Sequence, residues 1–169
     1  MFRTLLFGSL LISLALWLSA CGFTPVYSKY GKENAQSALS NIEIGIIPDQ
    51  EGQFLRNVLI DNFYQNGYPS NPRYHLSIEP IQERVRDLDV TITSDTTRAQ
   101  LKLSTSFKVI DKQTEEEILS RNIKSITSYN VLGSEFSTRV TERNARENAL
   151  IDLARQIERA ITLFATQKE

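Results

Sequence analysis

The sequence holds a single cysteine, Cys21, and its neighbours indicate what the thiol is for. Leu18-Ser19-Ala20 precedes it, and before those comes an apolar run from Leu5 to Leu16 with Arg3 at its head. A leucine three positions ahead, then a small pair, then cysteine is the pattern of a bacterial lipoprotein signal. Small residues fit the peptidase, the thiol takes a thioether-linked diacylglycerol, and the amine freed by cleavage accepts a further acyl chain. Two or more chains anchor a protein stably, since each buried CH₂ contributes about 0.8 kcal/mol. Leu5 to Leu18 is too short for a spanning helix, which needs about 20 apolar residues, and Gly8-Ser9 interrupts it. Residues 1–20 are thus expected to be a removed signal and Cys21 the S-diacylglycerol and N-acyl site, with no thiol left for a disulfide or a nucleophile.

The remaining chemistry is sparse. His75 is the only histidine, so metal sites built on His and Cys are not expected. It lies between Tyr74 and Leu76 with no glycine-rich turn beside it, which suits a solvated strand residue rather than a general base. Asp87 and Asp89 share a strand face but lack the apolar setting that raises a carboxylate pKa, and Glu115-Glu116-Glu117 reads as a solvated turn. No glycine cluster opens a helix, which excludes a phosphate loop. Nineteen basic residues against twenty acidic ones make nucleic acid an improbable partner. Catalysis and cofactors are not expected. What remains is Arg98, Lys102 and Lys108, spaced to share one face of a strand, where charge-assisted hydrogen bonds could hold an anionic ligand.

The elements that position these residues follow from periodicity. Gly22 to Ser40 reads as a tether, with Pro25, Gly31 and small polar residues. Residues 41–166 form one domain and 167–169 a short tail. Ile42, Ile44 and Ile46 alternate, so a strand is expected up to Pro48. From Glu51 to Gln65, Phe54, Leu55, Val58, Leu59 and Phe63 recur at helical spacing, and Asn66-Gly67 closes that helix. A strand begins at Tyr74, is interrupted by Pro80 and resumes towards Leu88, Val90 and Ile92, as one bent segment or two.

Thr93 to Thr97 is a polar turn before the clearest strand, in which Leu101, Leu103, Thr105, Phe107 and Val109 share one face and the three cations the other. Asp111 to Thr114 turns into a last strand through Ile118, Leu119, Ile123 and Ile126, with one slip in its alternation. Ser134 and Glu135 start a long helix that runs to Phe164. The order predicts an α+β two-layer sandwich: a mostly antiparallel sheet of about four strands with two helices on one face, and Lys102 and Lys108 pointing away from them. Tyr129 and Asn130, at the handover from last strand to helix, are placed to cover the sheet end and turn the chain, or to touch a partner.

Taken together, the lipobox running into Cys21-Gly22-Phe23-Thr24-Pro25-Val26-Tyr27, the strand from Arg98-Ala99-Gln100-Leu101 to Asp111, the segment Ser128-Tyr129-Asn130-Val131 and the stretch Glu142-Arg143-Asn144-Ala145-Arg146 resemble the LPS-assembly lipoprotein family, LptE. The resemblance covers essentially the whole mature chain. It implies a two-helix, four-strand domain that plugs a large LptD-like outer-membrane β-barrel, assists its assembly and binds lipopolysaccharide. On that reading Arg98, Lys102 and Lys108 face lipid A phosphates, and Tyr129 and Asn130 face the barrel. Gly22 in place of an aspartate after Cys21 points to the outer membrane. The alternatives are another envelope lipoprotein acting as a periplasmic adaptor or assembly factor, and a lipoprotein enzyme.

Overall fold

The structure, a computed structural model, describes residues 38–65, 67–90 and 96–167. The signal, Cys21, the tether as far as residue 37, Asn66, most of the turn before the clearest strand and the last two residues lie outside the described residues. The elements run β1 (Ile42–Ile44), α1 (Asp49–Phe63), β2 (Tyr74–Ile78), β3 (Gln82–Val90), β4 (Thr96–Asp111), β5 (Glu117–Asn130) and α2 (Glu135–Gln167).

β4 is the axis of the five-stranded sheet. Along one edge it pairs antiparallel with β2, through Phe107 to Asp111, and then with β3, through Thr96 to Ser104. The expected break at Pro80 is therefore a real division, and β2 and β3 lie end to end against one strand. Two hydrogen bonds hold the crossing between them: Glu79 N donates to Ser106 O at 3.0 Å, and Thr105 Oγ1 donates to Glu79 O at 2.7 Å. β5 pairs antiparallel along the other edge of β4, and β1 adds in parallel to β2. The sheet thus has five strands but is four rows wide, because two strands share a row.

Strict alternation in β4 gives the sheet two unlike faces. Leu101, Leu103, Phe107 and Val109 are buried in one cluster with Leu55, Leu59 and Phe63 of α1 and with Ala149, Leu153, Ile157 and Ile161 of α2. Both helices therefore cover the same face, as their spacing predicts. Ser134 caps α2 by accepting a hydrogen bond from Ser137 N at 3.4 Å, and the helix runs one turn past Phe164. The slip in β5 is a register shift opposite Val109 and Ile110.

Three local readings change. β1 ends at Ile44, not near Pro48: Gly45 N donates to Leu76 O at 2.9 Å, the chain then turns, and Ile47 is buried while Ile46 is 83% exposed. α1 starts two residues earlier than its apolar period suggests, with Asp49 and Glu51 in the first turn, where carboxylates meet the positive end of the helix dipole. In β3, Val85 lies opposite Leu101 on the helix side yet stays half exposed, as does Leu88 beside a bulge. Val85 and Leu88 lie past Glu83, the residue of β3 that Arg146 of α2 contacts, and are left uncovered, which is why the apolar pattern of β3 is weak.

Long-range polar joints fix the margins. Tyr64 Oη accepts from Ile44 N at 3.1 Å and donates to Ile42 O at 2.8 Å, tying the end of α1 to β1. Asp111, 4% exposed, accepts from Gln113 N at 2.9 Å and from Arg73 Nε and Nη2 at 3.0 and 2.9 Å. The backbone bond from Gln113, then the Arg73 guanidinium, hold its carboxyl below the usual carboxylate range.

A depressed folded-state pKa stabilises the fold above the unfolded value and loses that contribution as pH falls through the folded one. Asp111→Asn is therefore expected to lower the Tm at pH 7 but to flatten its fall below about pH 4, as thermal melts across that range would record. Gly52 provides a second test. A Cβ there would meet Ile47 Cγ2 at 2.6 Å and the Ile47 backbone at 3.0 Å. Gly52→Ala should destabilise the protein by about 1–2 kcal/mol in urea titration, because overpacking outweighs the gain of roughly 1 kcal/mol in helix propensity.

Candidate anion-binding face

The sheet face away from the helices carries the candidate residues. Arg98, Lys102 and Lys108 all lie on it, as alternation requires, but they do not form one site. At about 3.3 Å per residue, Arg98 and Lys108 are roughly 33 Å apart along β4. Lys108 also has a partner: its Nζ lies 2.9 Å from Glu117 Oε2 on β5, a contact that raises the lysine pKa and lowers that of the glutamate. Arg98 stands between Asp89 and Asn130 in the ladder.

Lys102 is different, because the neighbouring strands bring further cations to it. Arg84 of β3 lies directly opposite. Lys124 of β5 sits diagonally, one row away, opposite Ser104, and Arg86 lies diagonally on the other side, opposite Gln100. Among the described residues no salt bridge engages Arg84, Arg86, Lys102 or Lys124. Beside them is an open groove of about 640 Å³ lined by Glu79, Gln82, Lys102, Ser104, Asn122 and Lys124. Hydroxyls and amides line it together with two cations and one carboxylate.

Tyr129 and Asn130 separate across the sheet. Tyr129, opposite Ala99, packs half-buried against the core, and burial pushes its phenol pKa up. Asn130 is exposed at the end of β5, and its carbonyl accepts from Thr141 Oγ1 at 2.9 Å. Covering the sheet end thus falls to Tyr129 and turning the chain to Asn130, and the two side chains do not share a surface. His75 is on the outer face, its Nδ1 3.8 Å from Glu43 Oε2, while Lys112 Nζ lies 2.9 Å from the same oxygen.

The model of the LptE family, described as lipopolysaccharide-assembly, matches residues 39–161. This chain belongs to the LptE lipopolysaccharide-assembly family. Solved structures agree on the fold. A protein of Caulobacter crescentus CB15 described as a lipoprotein superposes with a TM-score of 0.62 at 19% identity, over 80% of this chain and 98% of that one. Rare lipoprotein B of Shewanella oneidensis gives 0.59 at 12% identity, over 75% and 96%. A minor lipoprotein of Acinetobacter baumannii gives 0.52 at 24% identity, over 72% and 88%. A search of curated proteins finds no match to this chain.

Within this LptE-family domain, the stretch from Glu142 to Arg146 locks the layers together. Ala145 is buried under the helix, and Thr127 Oγ1 donates to its carbonyl at 3.1 Å. Arg146 makes a two-pronged contact with Glu83 of β3, Nε to Oε2 at 2.8 Å and Nη2 to Oε1 at 2.9 Å. It also reaches Glu142 at 2.6 Å and approaches Glu51 of α1 at 3.9 Å. The bonds to Glu83 raise its pKa further. Periodicity gives no sign of this joint, since its partners are 63 residues apart.

Arg146→Ala should cost about 1.5–3 kcal/mol, the range for hydrogen bonds to charged groups, because it leaves Glu83, Glu142 and Glu51 facing one another. Urea unfolding would read it, and Glu83→Gln is expected to lose less.

Proposed function

We propose that the protein is a non-catalytic subunit of the lipopolysaccharide translocon, held in the outer membrane by acyl chains on Cys21. In this reading it seats against or inside a large LptD-like β-barrel, assists the assembly of that barrel and takes part in inserting lipopolysaccharide into the outer leaflet. The observation that carries the reading is the family match over residues 39–161. Two features of the chain support it. The signal ends in Leu18-Ser19-Ala20-Cys21, the form that lipidation requires. The sheet face away from the helices is also mostly polar, Ile126 being its exposed apolar exception, and such a face suits the water-filled lumen of an outer-membrane barrel. Lys102 is then the central glycolipid-facing cation of β4, with Arg98 farther along the strand and Lys108 already paired with Glu117, and Asn130 at the rim would meet the barrel.

The test is co-purification from outer membranes in mild detergent with an affinity tag after Glu169. One large β-barrel protein eluting at equal stoichiometry is the expected result; elution alone, or with inner-membrane components, would leave the adaptor reading in its place. A triple variant, Arg98→Ser with Lys102→Ser and Lys108→Ser, is expected to bind lipopolysaccharide at least about tenfold more weakly, the loss of one or more charge-assisted bonds, while still unfolding in a single cooperative thermal transition.

A further inference from the structure

The strand edges of this sheet differ in how their backbone groups are closed. On β1, Tyr64 Oη accepts from Ile44 N and donates to Ile42 O, and Arg56 Nη2 donates to Ile44 O at 3.4 Å. On the free side of β5, the carbonyls of Ser120, Lys124 and Asn130 accept from Arg121 Nη1 at 3.0 Å, Gln156 Nε2 at 2.9 Å and Thr141 Oγ1 at 2.9 Å. Side chains thus occupy groups that would otherwise template another strand. β3 has no such cover. Ser106 of β4 turns its carbonyl to the side of β2 and β3, so by alternation Ser104, Lys102 and Gln100 bond to Gln82, Arg84 and Arg86. The N–H and C=O groups of Glu83, Val85 and Asp87 therefore point outward, and among the described residues no hydrogen bond reaches them.

Charge on this edge is sorted by face. Arg84 and Arg86 lie on the outer face, whereas Glu83, Val85 and Asp87 lie on the helix side, opposite Leu103, Leu101 and Ala99. Val85 is 46% exposed. Where β3 begins, a groove of about 390 Å³ is lined by Asp49, Glu51, Ile81, Glu83 and Arg146, so carboxylates outnumber the one guanidinium there. A second copy added edge to edge about a two-fold axis would keep each face with its like. It would set arginine against arginine and carboxylate against carboxylate, which destabilises a ladder.

We propose that the outer edge of β3 takes an antiparallel strand from a different polypeptide: an extended segment with carboxylates along its outer face and, on its helix side, lysine or arginine flanking an aliphatic residue. Main-chain bonds to Glu83, Val85 and Asp87 supply the attachment, and the sorted charges select the sequence. Such a site is independent of the translocon reading.

Full-length acylated protein in mild detergent would be titrated with two labelled, end-blocked peptides of identical composition, Thr-Lys-Glu-Val-Glu-Lys-Thr and Thr-Glu-Lys-Val-Lys-Glu-Thr. The first sets Lys, Glu, Val, Glu and Lys against Asp87, Arg86, Val85, Arg84 and Glu83. It should bind about tenfold more tightly or better, because the second turns four cross-strand pairs from opposite to like charge. N-methylation of its valine, whose N–H faces β3, should abolish binding, whereas N-methylation of the preceding glutamate, whose N–H faces away, should not. Hydrogen exchange followed by NMR should slow at the amides of Glu83, Val85 and Asp87. Val85→Pro removes an N–H that lies outside the β4 ladder, and should lose the peptide while keeping a cooperative melt; if that variant fails to fold, the methylated peptides decide.

Equal affinity for the two peptides, or undiminished binding of the valine-methylated one, would reduce the contact to general charge attraction and overturn the site. So would failure of both peptides to bind, or slowed exchange on β5 in place of β3. Slowed exchange at Glu83, Val85 and Asp87 without peptide, increasing with protein concentration, would give the edge to a second copy and reject a foreign strand. Co-purification with a barrel is read separately, so either reading can fail without the other.

Discussion

Alternation along β4 is the constraint on which the rest of this domain depends. The strand has 16 residues and pairs with three other strands, so a one-residue slip would turn every one of its side chains to the opposite face. In the observed register Leu101, Leu103 and Phe107 are fully buried, each stabilising the fold by about 1.5–3 kcal/mol relative to exposure. A slip would replace them with Lys102, Ser104 and Lys108. The burial that fixes the register also sends those polar residues outward, so the core and the outer polar residues are two results of one pattern.

Hydrophobic burial does not position the pieces laterally, and here directional bonds take over. Tyr64 ties the end of α1 to the three-residue β1, which is too short to hold itself. Thr105 and Glu79 close the place where β2 gives way to β3. Arg146 joins α2 to β3 and comes near α1. Each joint satisfies polar groups that the core could not accept unpaired, and each joins segments that are distant in sequence.

Charge placement then separates paired cations from unpaired ones. Ion pairs at the edges help to set the geometry of strand ends and turns, as Asp111 does with Arg73 and Gln113. Exposed pairs add little stability; their consequence is that these cations are already occupied. Arg84, Lys102 and Lys124 are not, and pairing through β4 brings them together.

Much of the architecture was legible in the sequence, because it depends on local periodicity. The two-residue period of β4, the helical spacing of Leu55, Leu59 and Phe63, the Ser134 cap and the outward placement of Lys102 and Lys108 all follow from which neighbours share a face. The lipobox at Cys21 is equally local, and it lies outside the described residues. The candidate site was legible only in part, since Arg98 to Lys108 reads as one row until strand rise spreads it over roughly 33 Å. Tertiary structure alone decided that β2 and β3 share an edge, that Ile47 rather than Ile46 enters the core, that Arg84 faces Lys102 and that Arg146 grips Glu83. The physical reason is that a period reports which face a residue takes, whereas register and long-range pairing are settled only when the elements pack together.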